Sequence, residues 1–323
     1  MPLSVTDHVS TIAKEIYNGK VVFFLGAGIN MSGRPKGELW TTGKHFLPKG
    51  DELARALAKS CGPSYELQER RADLARVAQY VKSVRGLGSL YDDLHPIFDQ
   101  SYPPTHAHEF LAKLPGRLRP RLPQDANLLV VTTNYDDVLE CAFSAVGEPF
   151  ELANYIAEGQ DRGRFRHIDQ DGSSLVITEP NKYLRLSTAQ RSVIMKVHGT
   201  VNRGQSNATS DDYVITEDDY LHYITHTNAA NLFPVKIIEK IKRSHILFLG
   251  YGLRDWNFRV LLRQIWADQR LNYASWAIQI KPDILSEKFW AQHDVQIIDS
   301  DLDEFVEQLG RQLETLVDSA AVV

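Results

Sequence analysis

Three short stretches of this chain carry residues able to do chemistry, and each follows an apolar run: Gly26-Ala27-Gly28, Thr132-Thr133-Asn134-Tyr135-Asp136 and Lys196-Val197-His198-Gly199. A Gly-x-Gly turn after a strand lets backbone N–H groups approach a pyrophosphate, and the positive end of a following helix adds to the attraction. Asn134 and Asp136 offer an amide and a carboxylate, and His198 offers an imidazole that titrates near neutrality. A fourth stretch, Gly250-Tyr251-Gly252, also closes an apolar run. Each has a plain reading when taken singly. Gly-x-Gly occurs in ordinary turns, Asn and Asp are favoured helix caps, and Asp136-Asp137-Val138-Leu139-Glu140 reads as a helix start. A lone histidine at a strand end is usually structural. Independent caps need not converge beside a phosphate turn, however, and the joint pattern predicts one nucleotide site.

Six apolar runs lack in-out alternation and read as fully buried strands: Val21–Leu25, Leu128–Thr132, Val193–Val197, His245–Leu249, Trp276–Ile280 and Val295–Ile298. Helical patterns separate most of them. Glu217, Asp218 and Asp219 suit the first turn of a helix after Thr216. Leu302, Phe305, Val306, Leu309, Leu313 and Leu316 form one helical face near the C-terminus. The predicted fold is α/β, a Rossmann-like doubly wound parallel sheet with a helical insertion after the first strand. Such sheets bind ligands at the carboxyl ends of their strands, where all four stretches would lie.

Two regions interrupt the alternation. Roughly a hundred residues separate the first two strands, far more than a crossover needs. Residues 31–125 are read as a helical insertion beside the mouth of the site, with the Gly-rich segment Ser32–Gly50 preceding a helix over Tyr65–Val84. Glu151–Arg191 is polar with weak periodicity and reads as a long loop or hairpin over the sheet edge. Neither looks like a linker, so residues 1–323 are expected to form a single domain.

The net charge of −5 gives no reason to expect nucleic acid as a partner. No apolar run reaches the roughly 18–20 residues of a membrane span, and Met1–Asp7 lacks a secretory pattern. With only Cys61 and Cys141, a disulfide scaffold is not expected and a four-Cys zinc site within the chain is impossible. A cytoplasmic location fits. His106 and His108, beside Glu109, read as surface or capping residues. His222 and His226 have metal-pair spacing, but no Glu follows His222 to make a His-Glu-x-x-His motif, and helix surface is the preferred reading. Arg117, Arg119 and Arg121 read as a solvated loop. No metal is expected.

Leu25-Gly26-Ala27-Gly28-Ile29-Asn30 resembles the opening nucleotide motif of the sirtuins. Thr132-Thr133-Asn134-Tyr135-Asp136 looks like their Thr-x-Asn-x-Asp motif, and His198-Gly199 like their His-Gly. Phe248–Asp255 is similar to the late Gly-containing loop of sirtuin-like bacterial proteins. Gly33-Arg34-Pro35, the Asp-Trp-Asn-Phe-Arg run at 255–259 and Ser275–Gln279 resemble the subgroup found in anti-phage defence. Two features depart from the protein deacetylases of the family: the four-Cys zinc module is absent, and Gly33-Arg34-Pro35-Lys36-Gly37-Glu38 replaces a Phe-Arg pair.

The resemblance implies NAD⁺ as substrate and cleavage of its nicotinamide–ribose bond, giving nicotinamide and ADP-ribose, with depletion of NAD⁺ during phage infection as the role. It implies that Gly26, Ala27 and Gly28 cradle the phosphates, with Asn30 and Thr132 in the same binding motifs. Asp136 would hold the carboxamide, Asn134 the ribose or attacking water, and His198 would be general base. Gly250 and Gly252 would leave room for the adenosine half. The alternatives are a non-catalytic nucleotide-binding subunit of a defence complex and, with less support, a protein deacylase or ADP-ribosyltransferase. Hydride transfer fits poorly, because Gly26-Ala27-Gly28-Ile29-Asn30-Met31 lacks the last Gly or Ala of the dinucleotide fingerprint. No room for a sensor domain is read after the sirtuin-like part. Restraint is therefore expected from homo-oligomerisation or from a separately encoded regulator such as a HerA-type ATPase.

Overall fold

The computed structural model describes residues 4–61, 73–122, 125–203, 211–226, 232–253, 262 and 273–319. In chain order the described elements are α1 (Val5–Tyr17), β1 (Val21–Leu25), α2 (Gly50–Ser60), α3 (Leu74–Arg85), α4 (Leu87–Phe98), α5 (His106–Leu118), β2 (Leu129–Thr132) and α6 (Val138–Ala145). There follow β3 (Phe150–Tyr155), β4 (Phe165–Ile168), β5 (Ser174–Ile177), β6 (Ser192–Lys196), β7 (Gly199–Thr200), β8 (Asp212–Tyr213) and α7 (Glu217–His226). The last are α8 (Val235–Lys242), β9 (His245–Leu249), β10 (Ser275–Gln279), α9 (Ile284–Ala291), β11 (Val295–Asp299) and α10 (Leu302–Ser319).

The main sheet runs β11-β10-β9-β1-β2-β6-β3-β4-β5. Every pairing from β11 to β3 is parallel, and β3-β4-β5 is antiparallel. From β1 the chain builds outward on one side and then returns to lay β9 against the other side of β1. The crevice between β1 and β9 is therefore the topological switch point, where doubly wound sheets bind ligands.

Uninterrupted apolar strands are explained by cover on both faces. Val22 and Phe24 pack with Met195 and Phe248 under Ile237 and Ile241 of α8. Phe23 and Leu25 face the other way, toward α1, α5, α6 and α10. Burying such side chains contributes about 1.5–3 kcal/mol each. The face predicted for α10 is buried at Phe305, Val306, Leu309 and Leu313, with Leu302 and Leu316 packed at its border.

The six expected strands are present within a residue at each end. For Glu151–Arg191 the hairpin alternative holds in part and the loop does not: the region contributes β3, β4 and β5, antiparallel strands that extend the sheet itself and do not lie over its edge. Exposed residues in β4 and β5 broke the apolar signal. In the region after β1, α2, α3 and α4 share a separate core with Tyr135, Val138, Val201, Tyr213 and Ile215. α5 instead joins the core on the sheet. Of the helix expected over Tyr65–Val84, residues 65–72 lie outside the described residues, and the rest is within α3. No helix among the described residues is long and apolar enough to cross a membrane.

Candidate functional site

Register brings the four stretches together. Leu249 pairs with Leu25, Leu25 with Thr132, and Thr132 with Lys196, so β9, β1, β2 and β6 reach one rim in step. Lys196 in turn pairs with Asn154 of β3. The chemistry-bearing loops all leave from this line.

The glycine turn continues into a single 3₁₀ turn over Ala27–Met31. Gly26 N–H donates to the Leu249 carbonyl (3.2 Å), and Gly28 N–H to the Gly250 carbonyl (2.8 Å). A Cβ on Gly28 would lie 2.5 Å from the Gly250 oxygen, and one on Gly250 would lie 2.0 Å from Ile29 N. The glycines at 26, 28 and 250 are thus required by two backbones pressed together. Gly250 does not border open space, whereas a Cβ on Gly252 would meet nothing within 4 Å among the described residues. The amides of Gly26 and Gly28 are already engaged, so an anion at this turn would use other donors or displace the Gly250 loop. Arg254, Asp255 and the rest of 255–259 lie outside the described residues.

The second loop leans on the first. Thr132 donates its hydroxyl to the Leu25 carbonyl (3.3 Å) and accepts from Asn134 N–H (3.1 Å). Asn134 Nδ2 donates to the Gly26 carbonyl (3.4 Å), and Asn30 Nδ2 to Asp136 Oδ2 (3.3 Å). Asn30, Asn134 and Asp136 are all buried. The side-chain oxygens of Asn30 and Asn134 have no hydrogen-bond partner among the described residues. A buried acceptor left unmet costs about 1–3 kcal/mol, so these two atoms mark where a ligand's donors would be welcome.

His198 sits on the third loop, buried, with its ring edge-on to Tyr220 (5.4 Å) and Tyr223 (6.0 Å) of α7. Its carbonyl accepts from Val214 N–H (2.9 Å), while the Tyr135 hydroxyl donates to the Val214 carbonyl (2.8 Å). Val197 N–H donates to the Thr132 carbonyl (2.9 Å), tying the His198 loop to the Asn134 loop. Gly199 has φ +86° and allows this passage, since a Cβ there would lie 2.1 Å from the Asp212 carbonyl oxygen.

Several residues in or beside the site were not singled out from sequence. Lys196 is fully buried beneath the Asn134–Asp136 loop, and Asn154 is buried next to it with a side-chain oxygen that has no partner among the described residues. The only cue was a polar residue at the end of an otherwise apolar run. His108 caps α5 as one alternative held, accepting from Thr105 N–H (3.3 Å), but it is buried rather than on the surface. His106 is exposed. Arg34 pairs bidentately with buried Glu52 (2.9 and 2.7 Å) and lies 4.2 Å over the Phe46 ring. Burial alone would raise the Glu52 carboxyl, but Arg34 and the N–H groups of Trp40 and Lys49 hold it below its ordinary value. Arg34 therefore anchors the segment leading to α2. Arg117 and Arg119 lie at the end of α5, not in a solvated loop, and pair with Glu314 and Glu148. His222 is half-buried on α7.

Burial pushes the His108 imidazole down to about 4, although the Asp136 carboxylate draws it upward. A histidine whose folded value lies below its unfolded value of about 6.5 stabilises fully above pH 6.5, and that contribution is lost as pH falls toward 4. The difference amounts to about 3 kcal/mol. His108→Gln should flatten the loss of stability between pH 6.5 and 4 in denaturant titrations. An unchanged slope would remove His108 from the account of acid sensitivity.

The family model for the SIR2-like domain matches residues 128–298, just over half of the chain. That stretch includes Asn134, Asp136, His198 and Gly250, and leaves the Gly26–Gly28 turn outside. The chain is also similar to the "Defense-associated sirtuin 2" of Bacillus subtilis, at 23% identity over 325 aligned positions and 99% of this chain. It spans only 25% of that relative's length. With the loops after β2, β6 and β9 inside the matched stretch, and with a Rossmann-like sheet to carry them, the chain belongs to the SIR2-like domain family.

Proposed function

We propose that this chain binds NAD⁺ and hydrolyses its nicotinamide–ribose bond, releasing nicotinamide and ADP-ribose, and that it acts in anti-phage defence by depleting NAD⁺. The observation that carries the reading is the row Leu249–Leu25–Thr132–Lys196, from which the glycine turn, Asn134, Asp136, His198 and Gly250 all depart. The unmet oxygens of Asn30 and Asn134 beside Asp136 support it, because ribose hydroxyls and a carboxamide supply donors. The name of the similar Bacillus subtilis protein supports the defence role.

The chemistry asks little of the protein beyond placement. Nicotinamide is cationic in NAD⁺, and as the bond from ribose C1′ breaks the electron pair moves to the ring nitrogen. The leaving group departs neutral and needs no proton donor. The sugar passes through an oxocarbenium-like state that water captures at C1′. Asn134 orients the ribose or that water, Asp136 holds the carboxamide, and His198 accepts the water's proton. Homo-oligomerisation or a separately encoded partner such as a HerA-type ATPase would restrain such an activity.

The test is incubation of the purified chain with NAD⁺, with nicotinamide and ADP-ribose resolved chromatographically and NAD⁺ binding measured on the same sample. The parent should yield both products, and Asn134→Ala should lower kcat by about 10²-fold, the scale of losing one positioning contact to a developing charge. Binding of intact NAD⁺ without product would favour a nucleotide-gated subunit. Absence of both would overturn the reading.

A further inference from the structure

Lys196 ends β6 with its side chain fully buried, a placement that a lysine almost never takes without partners. An ammonium has three N–H donors, and here three oxygens receive them. Lys196 Nζ donates to the carbonyls of Tyr135 (3.2 Å) and Asp136 and to Oε1 of Glu140 on α6 (2.9 Å). Residues 133–136 belong to no helix or strand, so the Tyr135 and Asp136 carbonyls have no place in a helical or sheet ladder. The Tyr135 carbonyl also accepts from Val201 N–H (3.0 Å) and the Thr200 hydroxyl (3.4 Å). The two peptide units that Lys196 grips flank the Asp136 Cα, and Asn134 lies one residue before the first of them. Turning either unit would re-aim Asp136 directly and reach Asn134 only through Tyr135.

We infer that Lys196 is a positioning residue: its ammonium fixes the Tyr135 and Asp136 carbonyls and thereby holds Asn134 and Asp136 in the geometry that the NAD⁺ reaction needs. The inference rests on the proposed function for its catalytic consequence. It has a structural consequence that does not. Glu140 supplies the countercharge for the buried ammonium, and its carboxyl, raised by burial, is drawn back by Lys196. Packing alone would be met by methionine, which has similar length and no donors. The specific prediction is that losing the donors loosens the loop while the sheet stays intact.

The experiment compares the parent with the double variant Lys196→Met with Glu140→Gln, which leaves neither a carboxylate nor an ammonium buried without its partner, and Glu140→Gln alone reports the effect of losing the countercharge. Relative to the parent, the double variant should lose about 10²-fold in kcat for NAD⁺ cleavage, the scale of a displacement near 1 Å at a reacting centre. Amide hydrogen exchange should quicken at least about tenfold at Val138, whose N–H donates to Asp136 Oδ1 (3.2 Å), with β1 and β9 protected as before. A kcat within threefold of the parent's, or unchanged exchange at Val138, would overturn the positioning role. So would a uniform rise in exchange across β1, β2 and β9, which would mark Lys196 as part of general stability. If the parent shows no NAD⁺ cleavage, the proposed function fails, and exchange at Val138 then decides for or against the clamp.

Discussion

His198→Ala should retain NAD⁺ binding and lose cleavage by about 10²–10⁴-fold, the contribution of a well-placed general base. Its imidazole lies among Tyr220 and Tyr223 and is almost wholly buried, so its replacement also removes packing. Two readouts separate those effects. The affinity for NAD⁺, measured by calorimetry, should change by less than about threefold, since nicotinamide departs without a proton and the base acts only on water. The residual rate of His198→Ala should rise steadily with pH, as hydroxide replaces the assisted water. Cleavage at the parent rate would reduce His198 to a structural histidine seated against two tyrosines.

Gly250→Ala is the substitution expected to do most damage to the fold. Gly250 has φ +63°, a left-handed conformation that costs a residue with a Cβ roughly 1–2 kcal/mol. The added carbon would stand 2.0 Å from Ile29 N and 2.4 Å from the Gly28 carbonyl carbon. Those atoms are backbone, so relief requires the β1 and β9 loops to separate, with loss of the Gly28–Gly250 hydrogen bond (2.8 Å). The total should exceed about 4 kcal/mol, which places it among rare, severe substitutions. Thermal unfolding should come at least about 6 °C lower, given an unfolding entropy of roughly 2.1 cal/mol/K per residue over 323 residues. Gly252→Ala two residues on, where a Cβ meets nothing among the described residues, should move the transition by less than about 2 °C. Equal behaviour of the two variants would show that the close approach at Gly250 is not needed.

The central sheet was legible because its strands are buried on both faces and so read as short apolar runs. β1 and β9 fall where the pattern puts them, and their register delivers the motif ends to one rim. β4 and β5 were not legible, since they form an antiparallel edge whose exposed residues, such as Arg166 and Leu175, interrupt the signal. Asn134, Asp136 and His198 could be proposed as candidates from residue type and position after a strand. What sequence could not convey was the support beneath them. A lysine after Val193-Ile194-Met195 gives no sign that its ammonium will turn under a loop from another strand. Burial of His108 depends on α5 packing against the sheet, a contact between elements distant in sequence. Gly250 and Gly252 were read as leaving space for a ligand. The tightest constraint on Gly250, as on Gly28, is a neighbouring main chain, which no local pattern reveals.

That main-chain seam between Gly26–Gly28 and Gly250 divides the rim into two kinds of surface. One wall is built from peptide groups that tolerate no added atoms, and its shape cannot be tuned by exchanging side chains. Asn30, Asn134, Asp136 and His198 instead present side chains at the same rim, so exchanging them alters side-chain groups and not the main-chain contact between Gly28 and Gly250. Under the proposed function, variants meant to change the chemistry of the site belong at these side chains, with the seam left untouched. Libraries that randomise the glycines would mostly return unfolded protein.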